Sequence, residues 1–329
     1  MPVNPSSPTF SVIIAAWNAA HLVGEAVESA LAQTLPPMEV VVCDDESDDD
    51  LSGALRPFGD RVTLVRIPHG GEGAAKNAAA RNATGDFVAI LDADDVYLPG
   101  RLQALGELAR SRPDLDVLTT NSYLELEGRT IGTYYPTIAS FPEDDQLAGI
   151  VEESSAIFGA AAVRRESLLA VGGFAVDMRT AADWELWMRL AIGGARFGLV
   201  DEPLHRYRLQ PGSLTADKAS EWRGCVEALE RVREQATTAG PEVRAAYERS
   251  LHKHREWAML AEAERSLRSG SPDARSRARA VAFGPGFAAR TRMKALVAAA
   301  TPGAAARLLD RRERRTGVSR LSRRLPALL

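Results

Sequence analysis

The sequence predicts an α/β fold in which a mostly parallel sheet is covered by helices on both faces. Three observations predict it. Short apolar runs recur along the first 120 residues, and segments with helical spacing of apolar residues lie between them. Such alternation is the pattern of a parallel sheet buried on both sides. Two acidic clusters follow directly on two of the runs, at the carboxyl ends of strands, where sheets of this kind bind ligands.

In order, Phe10 to Ala16 reads as a buried strand, and Asn18 is placed to cap a helix carrying Leu22, Val23, Ala26, Val27, Ala30 and Leu31 on one face. Pro36-Pro37 ends that helix. Glu39 to Cys43 is a second strand that stops at Asp44-Asp45. Arg61 to Ile67 is a third, followed by a Gly-Gly loop and an Ala-rich helix around Gly73 to Ala83. Asp86 to Leu91 is a fourth strand, ending in Asp92-Ala93-Asp94-Asp95. A helix from Pro99 to Arg110 precedes a fifth strand, Asp116 to Thr120. The pattern then shortens to a hairpin near Tyr123 to Tyr135, a helix from Asp183 to Ile192 and a strand pair near Phe197 to Arg208. From Asp217 it is almost wholly helical, broken at Gly240-Pro241, Ser271-Pro272, Gly284-Pro285-Gly286 and Pro302-Gly303. A catalytic domain is expected over residues 1–215 and a helical, basic region over 216–329.

With 329 residues, the chain is long enough for a large domain plus an appendage. Its two cysteines, Cys43 and Cys225, lack metal-ligand spacing and point to a reducing, cytoplasmic compartment. Met1 to Thr9 lacks the basic-then-apolar pattern of a secretory signal. No apolar run reaches the roughly 18 residues that span a bilayer. The net charge of −4 conceals an asymmetry: residues 265–329 hold 16 Lys and Arg against 3 Asp and Glu, and residues 1–264 hold 24 against 41. An acidic body with a basic tail is expected.

Asp92, Asp94 and Asp95 place three carboxylates within four residues. They repel one another unless a cation or water screens them. They suit either the first turn of a helix, where Asp is welcome, or a site for Mg²⁺ or Mn²⁺, hard cations that take oxygen ligands together with substrate phosphates. The apolar strand before them holds the cluster rigidly and favours the cation. Asp48 to Asp50 read as a polar loop capping the next helix, and Asp45 as a hydrogen-bond acceptor for a nucleoside. Trp17 is either a core aromatic or a flat face on which a base stacks. His21, His69, His252 and His254 have no partner pattern and read as solvated.

These residues stand in segments that resemble the family 2 inverting glycosyltransferases of GT-A fold. The segments are SVIIAAWN (11–18), SALAQT (29–34), EVVVCDDES (39–47), AAKNAAARNATGDFVAILDADD (74–95), GGF (172–174), ADWELWMRL (182–190) and YRLQPGSLT (207–215). They span about 200 residues in the family's order. The resemblance implies a Rossmann-like GT-A sheet, a nucleotide-diphosphate sugar as donor and Mg²⁺ or Mn²⁺ as cofactor. It implies donor contacts from Ala15, Trp17, Asp45, Lys76, Asp92, Ala93 and Asp94, with the metal on Asp92 and Asp94. Lys76 stands where relatives carry Arg, which keeps the charge without the planar fork. Asp183 matches the general base, although Ala182 replaces the acidic residue that often precedes it; Asp183 also suits a helix cap. Asp95, Gly173, Arg208 and Ser213 are further candidates at the donor or diphosphate. Gln210 stands where many relatives carry His, so neither it nor His205 is counted as a metal ligand.

The implied reaction is inverting transfer of a sugar, from UDP before other nucleotides, to a hydroxyl of a glycan, lipid-linked or other acceptor, as in polysaccharide or glycoconjugate synthesis. A dinucleotide-dependent dehydrogenase would need G-x-G-x-x-G after the first strand, where the sequence has Ala-Ala-Trp-Asn. A nucleotidyltransferase shares the acidic cluster but not the Asp183 helix. A non-catalytic sugar-nucleotide-binding or scaffold protein of the same fold is the remaining alternative. In the tail, Arg311, Arg312, Arg314, Arg315, Arg320, Arg323 and Arg324 interleave with leucines, which suits peripheral contact with the inner face of the membrane or a solvated helical face. Nucleic acid is not expected, because aromatics are not interleaved with the basic residues.

Overall fold

The computed structural model describes residues 8–210 and 217–315, with side chains through Leu309. Strands β1 (Phe10–Ala16), β2 (Glu39–Asp44), β3 (Val62–Arg66) and β4 (Phe87–Ile90) lie parallel in the order β3-β2-β1-β4. The sheet continues through β5 (Val96–Tyr97), β6 (Val117–Leu126), β7 (Arg129–Thr133), β8 (Ala162–Arg164) and β9 (Phe197–Leu209), in the full order β3-β2-β1-β4-β8-β6-β9-β5, with β7 paired to β6. β8 runs antiparallel between β4 and β6, whereas β9 returns parallel to β6. The fold is α/β, as the sequence predicts, with antiparallel pairs confined to the second half.

Both faces of the parallel part are buried, which is why its strands are apolar at consecutive positions. Val12, Ile14, Val40, Val42 and Ala89 point to a cluster with helices α1 (Val23–Leu31), α2 (Leu51–Leu55) and α4 (Arg101–Ser111). Ile13, Val41, Cys43, Val88 and Ile90 point to the other face. There they meet α3 (Glu72–Asn82), α6 (Gln146–Glu152) and α8 (Ala182–Ile192). The short helices α5 (Tyr134–Thr137) and α7 (Arg165–Ala170) flank the second half of the sheet. That second cluster continues into α9 (Lys218–Arg231), α10 (Arg233–Thr238) and α11 (Pro241–Arg268) through Trp222, Leu229, Val232, Ala236 and Tyr247. A single apolar cluster thus crosses position 215. Helices α12 (Ala274–Phe283), α13 (Ala289–Ala300) and α14 (Pro302–Arg315) pack on α11 around smaller clusters.

Several local expectations are corrected. Asn18 does not cap α1, which begins at Val23. It adopts φ +50°, and its Oδ1 accepts from the Asp48 N–H at 2.8 Å, tying the β1 and β2 loops together. The strand pair near Phe197 to Arg208 is one bent strand, β9, whose register on β6 shifts between Thr120 and Tyr123, where the partner residue Asn121 lies opposite Pro203. His254 is fully buried, its ring 5.1, 5.8 and 5.3 Å from the Trp184, Trp222 and Trp257 rings. The burial of His254 follows from the packing of α11 against α8 and α9, which i,i+2 spacing from His252 does not reveal. Asp50 does cap its helix, its Oδ1 accepting from the Gly53 N–H at 2.8 Å.

Candidate active site

Register brings the strand ends together. Ala16 pairs with Asp44 and Ile13 with Ile90, all in parallel, so Trp17, Asp44-Asp45 and Asp92 to Asp95 leave the same edge of the sheet. Ala15, half-buried, lies one residue inside that edge. Trp17 is 55% exposed, which excludes the core reading, and its ring lies 5.0 Å from His69 at a tilt of 34°.

Asp45 is buried and faces the loop before α3. Its two oxygens accept from the Gly70 and Gly71 N–H groups at 2.8 and 2.9 Å, and His69 Nδ1 is 3.0 Å from Oδ2. His69 is exposed, as the sequence suggests, but it does not lack partners. It joins Trp17 to Asp45, a role with no signal in local sequence. Asp44 is closed in the same way, by the Ser47 N–H at 2.8 Å and Arg66 at 3.1 Å.

The second cluster is differently served. Lys76, buried on α3, reaches Asp92 at 2.9 Å and also contacts Glu72. Burial by itself would depress the ammonium, but the Asp92 and Glu72 charges outweigh it and raise its proton affinity. Asp94 is pushed up to about 6, by burial first and then by the Asp92 charge. Ala93 between them is buried. Asp95 lies deepest and is raised well above the ordinary carboxylate range by burial and then by Asp92 and Asp94. Its Oδ1 accepts from the Arg208 N–H at 2.8 Å, and Oδ2 faces His205 Nε2 at 3.5 Å. Burial, then the Arg101 charge, holds His205 well below the usual imidazole range. Arg208 turns its side chain to Glu25 on α1, with Nη1 donating at 2.8 Å. Ser213 lies outside the described residues.

Asp183 enters from α8. Ala181 before it is left-handed, φ +60°, and the helix starts at Ala182, so Asp183 sits in the first turn and is not the N-cap. Its Oδ1 accepts from the Trp184 N–H at 2.8 Å. Burial raises its proton affinity, opposed by the Lys76 charge, with Glu72 and Asp92 acting in the same direction as burial. That mutual influence places Asp183 in one electrostatic neighbourhood with Lys76 and Asp92. Gly159 makes room for it, since a Cβ there would stand 2.9 Å from Asp183 Oδ2. Gly173 has φ +78°, and a Cβ on it would come 2.2 Å from Asn77 Oδ1. Asn77 clamps Phe174, accepting from its N–H and donating to its carbonyl, both at 2.8 Å. Arg189, paired with Glu185, donates to the Val171 and Gly173 carbonyls at 2.6 Å. The Gly-Gly loop is thus locked by α3 and α8.

Among the described residues, no three His, Cys, Asp or Glu side chains converge as a metal cage. Asp92 and Asp94 nevertheless fit a divalent cation of the kind that takes one or two carboxylates and completes its shell with phosphate and water. The Asp92 charge adds to burial in raising Asp94, opposed by a backbone hydrogen bond and then by Lys76.

A parallel sheet edge with acidic strand ends, flanked by the α8 carboxylate, defines a nucleotide-sugar transferase fold of GT-A type. Two solved structures share that fold. Staphylococcus aureus TarS 1–349 in complex with UDP-GlcNAc superimposes with a TM-score of 0.64 at 17% identity, over 94% of this chain and 92% of that one. A mannosyltransferase from Pyrobaculum calidifontis, in complex with GDP-Man and Mn²⁺, does so with a TM-score of 0.57 at 22% identity, over 97% and 86%. Residues 11–172 match Glycosyl transferase family 2, and the chain carries a domain of that family. An uncharacterized glycosyltransferase of Rickettsia prowazekii is 31% identical over 41% of this chain and 42% of its own length. The chondroitin synthase of Pasteurella multocida is 29% identical over 57% of this chain and 19% of its own. The matches thus span less than half the length of these curated relatives.

Proposed function

We propose that the protein transfers a sugar from a nucleotide-diphosphate sugar to an acceptor hydroxyl with inversion, dependent on Mg²⁺ or Mn²⁺. The observation that carries this reading is the meeting of Asp183, Lys76 and the Asp92–Asp94 pair in one electrostatic neighbourhood beyond the sheet edge. Residues 1–215 serve as the catalytic unit and residues 216–329 as a helical, basic region, of which α9 to α11 pack against it. A UDP-sugar is the favoured donor, since the TarS structure holds UDP-GlcNAc, and a glycan acceptor is favoured by the chondroitin synthase similarity.

Trp17 offers its exposed face to the base, beside Asp45 and His69. Lys76 lies against Asp92 and presents its charge to the diphosphate. A divalent cation on Asp92 and Asp94 would neutralise the negative charge that develops on the leaving diphosphate. Asp183 takes the proton of the acceptor hydroxyl as that oxygen attacks the anomeric carbon. A carboxylate whose proton affinity is raised by burial is the better base for that step. The bond to the diphosphate breaks on the opposite side, which inverts the centre.

The test is release of nucleotide diphosphate from a panel of UDP-, GDP- and dTDP-sugars with Mn²⁺ or Mg²⁺. Metal-dependent release from one donor, lost in Asp94→Ala, is the expected result. Asp183→Ala should retain donor binding by calorimetry and lose about 10²–10⁴-fold in transfer to acceptor. Failure to bind any donor would reject the reading in favour of a scaffold of the same fold.

A further inference from the structure

Helix α13 is apolar on two opposite sides. Its inner side places Ala295 in a buried cluster with Leu260, Val281 and Phe287, and Ala298 in another with Leu267 and Ala278. On its outer side Met293, Leu296 and Val297 are 62, 38 and 56% exposed. With Ala289 and Ala300, also exposed, they form a stripe roughly 100° wide at 3.6 residues per turn. The same helical positions put Arg290 and Lys294 along one edge of the stripe and Arg292 along the other. Arg292 is held there by donating to the Gly284 carbonyl at 2.7 Å. From Ala274 to Leu309 the sequence holds seven Lys and Arg and no Asp or Glu. Phe283 at the end of α12 and Leu308 in α14 are also exposed, at 74 and 65%.

We infer that the outer face of α13 docks on the surface of a bilayer containing anionic phospholipid. An apolar stripe bordered on both sides by long cationic side chains matches a headgroup boundary. The stripe enters the acyl region while the Lys and Arg stems run along it and carry their charges up to the phosphates. A second copy of the chain meeting this face symmetrically would set basic borders against basic borders, which repel. No helix among the described residues is long and apolar enough to cross a membrane, so the contact lies in the interface plane. The inference does not depend on the reaction proposed above, because its readout is binding to vesicles.

The experiment floats the full chain with phosphatidylcholine vesicles, with and without about 30% phosphatidylglycerol. The bound fraction should be about 10-fold higher on anionic vesicles and should fall at roughly 0.5 M NaCl, where screening shortens the reach of the charges. The double variant Met293→Glu with Val297→Glu should lose about 10-fold in binding, with its unfolding midpoint unchanged because both side chains are exposed. Met293→Cys carrying an environment-sensitive dye gives a second readout, since Cys43 and Cys225 are buried and leave position 293 as the accessible thiol. Its emission should shift to the blue with anionic vesicles only. Equal binding of wild type and the double variant, no vesicle binding, or self-association lost in the double variant without vesicle binding would each overturn the inference.

Discussion

Two acidic clusters leave the same sheet edge and are treated differently by the fold. Asp44 and Asp45 each receive fixed donors from the chain: a backbone N–H and Arg66 for the first, two glycine N–H groups and His69 for the second. Lys76 contacts Asp92, and Asp94 is pushed up to about 6 by burial first and then by the Asp92 charge. Both clusters are aspartates at the carboxyl ends of parallel strands. What separates the clusters is the supply of donors. One accepts fixed hydrogen bonds within the chain and holds two loops in place; the other has Lys76 against Asp92 and an Asp94 whose proton affinity is raised.

The largest expected effect separates the clusters by turnover. Asp94→Asn should lower kcat by about 10²–10³-fold, the scale on which removing an electrostatic stabiliser acts. Asp45→Asn should act on donor KM more than on kcat. Steady-state kinetics on both variants checks this, and a comparable kcat loss in Asp45→Asn would erase the distinction. Stability should separate them in the opposite sense. Asp45→Ala strands two N–H groups of the Gly70-Gly71 loop and should cost about 2–4 kcal/mol in urea unfolding.

The third prediction concerns pH. Asp94 binds its proton more tightly folded, at about 6, than the ordinary 3.8, so the folded state holds more protons between those values. Its contribution to stability therefore rises as pH falls from about 6 to about 4 and is level outside that window. Two units correspond to at most about 3 kcal/mol, so metal-free Asp94→Asn should exceed wild type by up to that amount at pH 7.5 and match it near pH 4. Unfolding curves at several pH values, differenced between the two proteins, read this directly. Calorimetry should also show the Mn²⁺ Kd of wild type rising about tenfold per unit below pH 6, as Asp94 takes up its proton. The smallest effect is expected at the base: His69→Ala removes one ring beside Trp17 and should weaken donor binding by about 2–10-fold.

Glycine positions sharpen the same contrast between what is clamped and what is open. Gly173→Ala would meet Asn77 Oδ1 at 2.2 Å with φ +78°, whereas Gly172→Ala, φ +84°, meets open space. Both substitutions strain the backbone; only the first should also disturb the Phe174 clamp that joins α3 to the Gly172–Gly173 loop.

Much of this was legible in the chain before folding. Continuous apolar runs fixed β1, β2 and β4 because both sheet faces bury them, and their abrupt ends placed Asp44-Asp45 and Asp92-Asp94 at the carboxyl edge of the sheet. Ordered motifs marked Trp17, Lys76 and Asp183, whose geometry is local to a strand end or a helix turn. Local pattern did not reveal which carboxylates the chain itself satisfies. Gly70 reaches back 25 residues to Asp45, His205 faces Asp95 from β9, and Gly159 clears the space for Asp183. Nor did it reveal the burial of His254, which three tryptophans from three helices enclose. Periodicity reports which side of an element is covered; the identity of the partner across that cover depends on register and packing between distant segments. The sequence by itself therefore determined the parallel part of the sheet, its carboxyl edge and the acidic residues there. Tertiary structure alone decided which of those acids the chain supplies with donors and which it leaves to burial and a neighbouring charge.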